Sequence, residues 1–226
     1  MLKTWSEIFD GSNFSMLICG SSGSGKTQLL KTIINSCKKN YDYFVILCPS
    51  LEFSGDYKEF QNNNEDKKFI FFNEYRADVI KEVMQTQEDI IVRYGKNRCP
   101  KVVMILDDCL DNLKYHSLPE VLYFRGRHIN ISPISLVQKL RGVSTILRAN
   151  TTSAVFFRSG NEAELEAFVE TYCGRKERKH IEQEISNWFK DRPFTFLYCN
   201  FRTHNYDERY ILGADKKLME AIELNR

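Results

Sequence analysis

Residues 20–27 read Gly20-Ser21-Ser22-Gly23-Ser24-Gly25-Lys26-Thr27, and this stretch decides the fold. It fits the pattern G-x-x-x-x-G-K-[ST], in which each position has its own physical task. The glycines let the backbone curl until its N–H groups face inward on an anion. Lys26 offers a compact positive charge to the outer phosphates, and the Thr27 hydroxyl can ligate a divalent cation. A helix beginning here would aim its positive dipole end at the same anion.

The flanks support this reading. Phe14-Ser15-Met16-Leu17-Ile18-Cys19 is a short apolar run that predicts a buried strand. After the loop, Leu29, Leu30, Ile33, Ile34 and Cys37 recur at helical spacing over residues 27–37. Strand, loop and helix in that order separate a phosphate cradle from a glycine–serine turn that matches by chance. The expected nucleotide contacts are residues 20–27 together with Gln28.

The chain has 226 residues, with 42% hydrophobic and 27% charged, an ordinary globular balance for one substantial domain. No apolar stretch is long enough to cross a membrane, and residues 1–10 lack a secretory pattern, so an intracellular protein is expected. Seven cysteines with no C-x-x-C pair argue against a disulfide framework. Cys173, His180, Cys199 and His204 have donor types suited to zinc, but their spacing fits no common zinc module. A formal net charge of +2 is too small to imply nucleic-acid binding by itself. One local basic patch, Arg175-Lys176-Glu177-Arg178-Lys179-His180, reads either as a polyanion contact or as a solvated helix face.

Further strands are expected at 43–48, 69–72, 102–106, 131–137, 154–157, 194–199 and 210–212, the last two as a hairpin. Helices are expected at 75–92, 118–127, 162–172 and 177–189, with a helical turn at 144–149 and Gly174 as a stop signal. Residues 61–68 read as a polar loop. Strands alternating with helices predict an α/β fold: a mainly parallel sheet covered on both faces, of the P-loop NTPase (RecA/ASCE) type. We read a single domain over 1–226, with a motif-bearing core at 12–170 and C-terminal helices and hairpin at 171–226.

A bound nucleotide needs its metal held from a second side. Val102-Val103-Met104-Ile105-Leu106 runs directly into Asp107-Asp108. A buried strand fixes the first carboxylate rigidly, so Asp107 is the expected Mg²⁺ ligand beside Thr27. Asp108 is then placed to orient or deprotonate the attacking water. Many such enzymes carry Glu at that position, for its longer reach. The strand at 131–137 ends at Gln138, whose amide can touch the γ-phosphate or the lytic water if that strand lies beside the acidic one. Arg125, Arg127 and Arg148 lie near predicted element ends and are expected on the same side as the motifs. Arg127 or Arg148 could supply a guanidinium in trans to the charge that builds during phosphoryl transfer.

The order Gly-Ser-Ser-Gly-Ser-Gly-Lys-Thr, Val-Val-Met-Ile-Leu-Asp-Asp, Gly-Arg-His-Ile-Asn-Ile-Ser…Gln and Leu-Arg-Ala-Asn resembles the genome-packaging ATPases of large DNA viruses. These form the poxvirus-type branch of the FtsK–HerA superfamily. The resemblance covers roughly residues 12–170. It implies a ring-forming ATP-driven motor, pentameric or hexameric, that pumps double-stranded DNA into a preformed capsid at its portal vertex, inside the host cell. It also implies Lys26 and Thr27 as ATP and Mg²⁺ ligands, Asp107 and Asp108 as metal and water ligands, Gln138 as sensor, and Arg127 or Arg148 as the trans finger. A related cellular DNA-pumping ATPase and a nucleotide-dependent regulatory module are the alternative readings.

Overall fold

In the computed structural model, residues 4–109, 117–158, 161–173, 178–190, 192–203 and 208–222 are described. Nine strands form one sheet: β1 (Met16–Cys19), β2 (Tyr43–Leu47), β3 (Phe69–Phe72), β4 (Val102–Asp107), β5 (Ile131–Val137), β6 (Ser153–Phe157), β7 (Thr195–Asn200), β8 (Tyr210–Ala214) and β9 (Lys217–Ala221). Their order is β3-β2-β4-β5-β1-β6-β7-β8-β9. The first six in that order run parallel, and β7, β8 and β9 continue antiparallel from β6. The α/β expectation, with a mainly parallel sheet, is borne out.

The central strands β1, β4 and β5 are buried along their whole length. Each feeds both layers, because successive side chains point to opposite faces. Val102, Met104 and Leu106 of β4 enter one core, and Val103 and Ile105 enter the other. The second core is closed by α2 (Lys26–Cys37), through Leu29, Leu30, Ile33 and Ile34. The first is closed by α5 (Ala77–Tyr94), α6 (Ser117–Arg125), α8 (Glu162–Tyr172) and α9 (Arg178–Lys190). The remaining helices are the short α1 (Trp5–Ile8), α3 (Leu51–Ser54), α4 (Lys58–Asn62) and α7 (Thr145–Ala149).

Strand β5 and helix α8 have the expected bounds. The loop expected at 61–68 begins with the last turn of α4. The terminal hairpin is β7–β8, and it is extended by β9, which the sequence reading missed. That edge strand follows a turn at Asp215 and Lys216, both at positive φ, and its Lys-Leu-Met-Glu-Ala sequence has little strand signal. Gly174, residues 175–177 of the basic patch, and His204 of the zinc reading lie outside the described residues.

Candidate active site

The loop at 20–25 leaves the end of β1 and enters α2 at Lys26. Gly25 sits at φ 101°, a left-handed conformation that L side chains rarely adopt. At Gly20 the constraint is space. A Cβ there would lie 2.7 Å from Cβ of Phe157 and 2.6 Å from Oγ of Ser24. The Lys26 ammonium is buried in the curve of the loop, donating to the carbonyls of Gly20 at 2.8 Å and Ser21 at 3.0 Å. Ser24 Oγ is buried with no protein partner. Gln28, one turn on, reaches Asp56 Oδ1 at 3.4 Å.

Strand order brings the other motifs to the same edge. Strand β5 lies between β4 and β1, with Asp107 opposite Leu136 and Cys19 opposite Val137. The Gly20 N–H donates to the Val137 carbonyl at 3.1 Å, which ties the start of the loop to the end of β5. Gln138, half-buried, follows β5 and so stands between the loop and the acidic pair.

Asp107 ends β4 in a buried position. It accepts a hydrogen bond from the Tyr57 hydroxyl at 2.7 Å. Burial pushes its carboxyl up to about 6; the Tyr57 hydrogen bond opposes the shift, Asp108 adds to it, and Lys26 opposes it. Tyr57 is itself 1% exposed, and burial beside Asp107 raises its phenol well above the ordinary value. Asp108 is exposed at φ 51°. Asp tolerates this left-handed backbone better than most residues, which gives a local reason for Asp rather than Glu here.

Tyr57 carried no signal in the sequence, because its partner is fifty residues away. Glu164 of α8 was also missed. It is 7% exposed, and its Oε2 accepts from the Leu140 N–H at 2.8 Å, in the turn that follows Gln138. A buried carboxylate in an apolar helix face is a legible anomaly, but its target is not.

The arginines are not where the sequence reading put them. Arg127 lies at the opposite edge of the sheet from the loop: Asn13, ahead of β1, donates from Nδ2 to the Arg127 carbonyl at 3.1 Å. Arg148 is at that edge too, since Ser15 Oγ donates to the Asn150 carbonyl at 2.6 Å. The length of β5, about 20 Å at strand rise, separates Arg127 from Gln138. Neither arginine reaches the loop of its own chain. Arg148 is engaged internally, with Nη1 at 3.1 Å from Thr171 Oγ1 and Nη2 at 3.4 Å from Thr145 Oγ1. Arg127 is exposed, and Arg125 pairs with Glu88 at 2.6 Å.

Of the basic patch, Arg178 pairs with Glu166 at 3.1 Å and with Glu182 at 3.0 Å, which matches the solvated-face reading at that residue. Among the described residues, no group of three or more metal-ligating side chains converges, and no helix is long and apolar enough to cross a membrane.

Comparison with known proteins agrees with this architecture. The chain aligns with the "DNA packaging protein OPG160" of Variola virus at 31% identity over 140 residues, 62% of this chain and 51% of that protein. It also aligns with "Uncharacterized protein 015R" of Frog virus 3 at 24% identity, over 65% of this chain and 44% of that protein. The chain thus spans about half the length of the curated relatives it matches. Among solved structures, it resembles the genome packaging NTPase B204 of Sulfolobus turreted icosahedral virus 2, solved with AMPPCP, with a TM-score of 0.62 at 15% identity over 93% of this chain and 99% of that one. That likeness shows the P-loop NTPase fold. The expected kinship with poxvirus-type packaging proteins is borne out, because residues 6–193 match the model of the Poxvirus A32 protein family. This chain belongs to that family.

Proposed function

We propose that this protein is an ATPase that drives double-stranded DNA into a viral capsid. The observation that carries the enzymatic part is the single edge on which the 20–27 loop, Asp107, Asp108 and Gln138 meet. The family membership and the DNA-packaging relatives support the cargo.

The residues present fit ATP with Mg²⁺. The loop is a cradle that a Cβ at Gly20 would fill, Ser24 Oγ is a buried donor without a protein partner, and Thr27 and Asp107 are hard oxygen ligands suited to Mg²⁺. A desolvated carboxylate such as Asp107 is stabilised by a nearby cation. Thr27 and Asp107 would hold Mg²⁺, whose charge would offset the negative charge that develops in phosphoryl transfer. Lys26 holds the γ-phosphoryl end, Asp108 orients the attacking water and takes its proton, and Gln138 distinguishes the triphosphate from the diphosphate.

Both arginines lie a strand's length from their own loop, so as a finger either would act on the loop of a neighbouring copy in a pentameric or hexameric ring. Arg127 suits this role better, because its side chain is exposed whereas Arg148 is spent on Thr171 and Thr145. The capsid's portal vertex is the partner, and viral assembly sites inside the host cell are the place of action. Steady-state ATP hydrolysis, measured with and without duplex DNA, tests the proposal: turnover should rise with DNA, and the DNA effect should fall steeply with salt as counterions compete. Turnover indifferent to duplex DNA at every salt concentration would remove the cargo and leave the ATPase.

A further inference from the structure

Phe194 stands beside the phosphate loop on the side away from the metal ligands. It precedes β7, whose antiparallel direction brings the start of that strand to the same edge as the loop. A Cβ built on Gly25 would lie 3.4 Å from Phe194 Cδ1 and 3.5 Å from Phe157 Cε1. Phe157 is buried, but Phe194 is 52% exposed.

The backbone at Phe194 is costly. Its φ is 52°, left-handed, directly after Pro193. A proline followed by positive φ is the pattern of a type II turn, where glycine is the usual second residue. A bulky aromatic in that conformation is an outlier, and one whose ring is half in solvent does not recover the cost through core packing.

The sheet order supplies a direction. Asp107 is on β4 and Gln138 follows β5, both on one side of β1. A triphosphate whose outer end faces them leaves the loop on the other side, toward β6 and β7. There the exposed ring of Phe194 lies beside the loop.

We propose that Phe194 is the platform on which the base of the bound nucleotide stacks. The inference rests on the loop holding a nucleotide, as read above, and adds the base subsite. A ring face accepts any base, so the larger stacking area of purines favours them over pyrimidines without a hydrogen-bonded code.

The test uses the full chain, with ATP and inorganic tripolyphosphate as probes in the presence of Mg²⁺. Phe194→Ala should weaken ATP binding about tenfold, the usual size of one base–aromatic stack. Tripolyphosphate should bind it as it binds the wild type. In turnover, KM should rise while kcat holds, because the stack is equal in ground and transition states. Phe194→Trp should keep ATP affinity and acquire a fluorescence change with ATP, beyond that of the wild type, which tripolyphosphate does not produce. Since Phe194 is half exposed and Ala keeps the Cβ that the left-handed backbone penalises, the thermal midpoint of Phe194→Ala should be nearly unchanged. Unaltered ATP affinity in Phe194→Ala, or equal losses for both probes, would overturn the base platform alone. A wild type that binds neither probe would take down the nucleotide reading and the platform with it.

Discussion

The Tyr57 hydroxyl donates to Oδ2 of Asp107 at 2.7 Å, so the end of β4 is braced by a side chain from the segment before α4. Both groups are buried. Tyr57→Phe should leave the carboxylate without that partner and cost about 1–2 kcal/mol of stability, read as a lower urea midpoint. The Mg²⁺ concentration for half-maximal ATP turnover should rise, because the carboxylate is less firmly aimed. A variant equal to the wild type in both measurements would show that the hydroxyl is dispensable.

Lys26 sits in the curve of the loop, with two of its donors on loop carbonyls. Lys26→Ala should lower kcat for ATP at least about 100-fold, the scale for removing one preorganised charge donor from a phosphoryl or acyl transition state. Phosphate release measures it. Hydrolysis near the wild-type rate is the result that contradicts the site.

Gly20 and Phe157 compete for one volume. Gly20→Ala would bring its Cβ to 2.7 Å from the Phe157 Cβ, a contact that must be relieved by moving backbone. The expected cost is about 1–3 kcal/mol, as for other overpacked sites. Shortening the ring in Phe157→Ala leaves that Cβ in place, so the double variant should show little recovery. Strong recovery would mean that the clash lies with the ring rather than with the close approach of the two chains.

Glu164 positions the turn after Gln138 through the Leu140 N–H. Glu164→Gln keeps an acceptor of the same shape, and Glu164→Leu removes it. The Leu variant should lose kcat with little change in ATP affinity, since Gln138 is displaced while the loop stays intact. The Gln variant should restore most of the kcat. Equal kcat in both variants would assign Glu164 to packing only.

Arg127 lies too far from its own loop to act on it, so as the proposed finger it would act on the loop of another copy. Arg127→Ala and Lys26→Ala subunits should each be inactive alone. Mixed, they should regain part of the ATPase activity, through interfaces that pair an intact loop with an intact arginine. Arg148→Ala should instead lower the thermal midpoint, since it breaks the contacts to Thr171 and Thr145. Absence of recovery at every mixing ratio would exclude Arg127.

Much of the chain was legible without a structure. The 20–27 loop, the buried strand ending at Asp107, the 131–137 strand and the 162–172 helix are all set by neighbours in sequence. Apolar period, glycine placement and an acidic strand end act over a few residues, and those signals survive in the chain itself. Gln138 was legible for the same reason, as the polar residue that ends an apolar run.

The rest depended on which strands lie side by side. That β5 lies beside β4, and between it and β1, was only a condition in the reading of Gln138, and the packed sheet decides it. Tyr57 and Glu164 meet the site from fifty and twenty-four residues away, through hydrogen bonds that no local pattern announces. Both arginines were placed at the wrong end of the sheet, because proximity in sequence to the start of a strand says nothing about reach to the end of its neighbours. Phe194 comes beside the loop only because β7 reverses direction against β6. Local propensity selects the elements; burial of both faces of one twisted sheet selects their order, and that order determines which distant side chains share an edge.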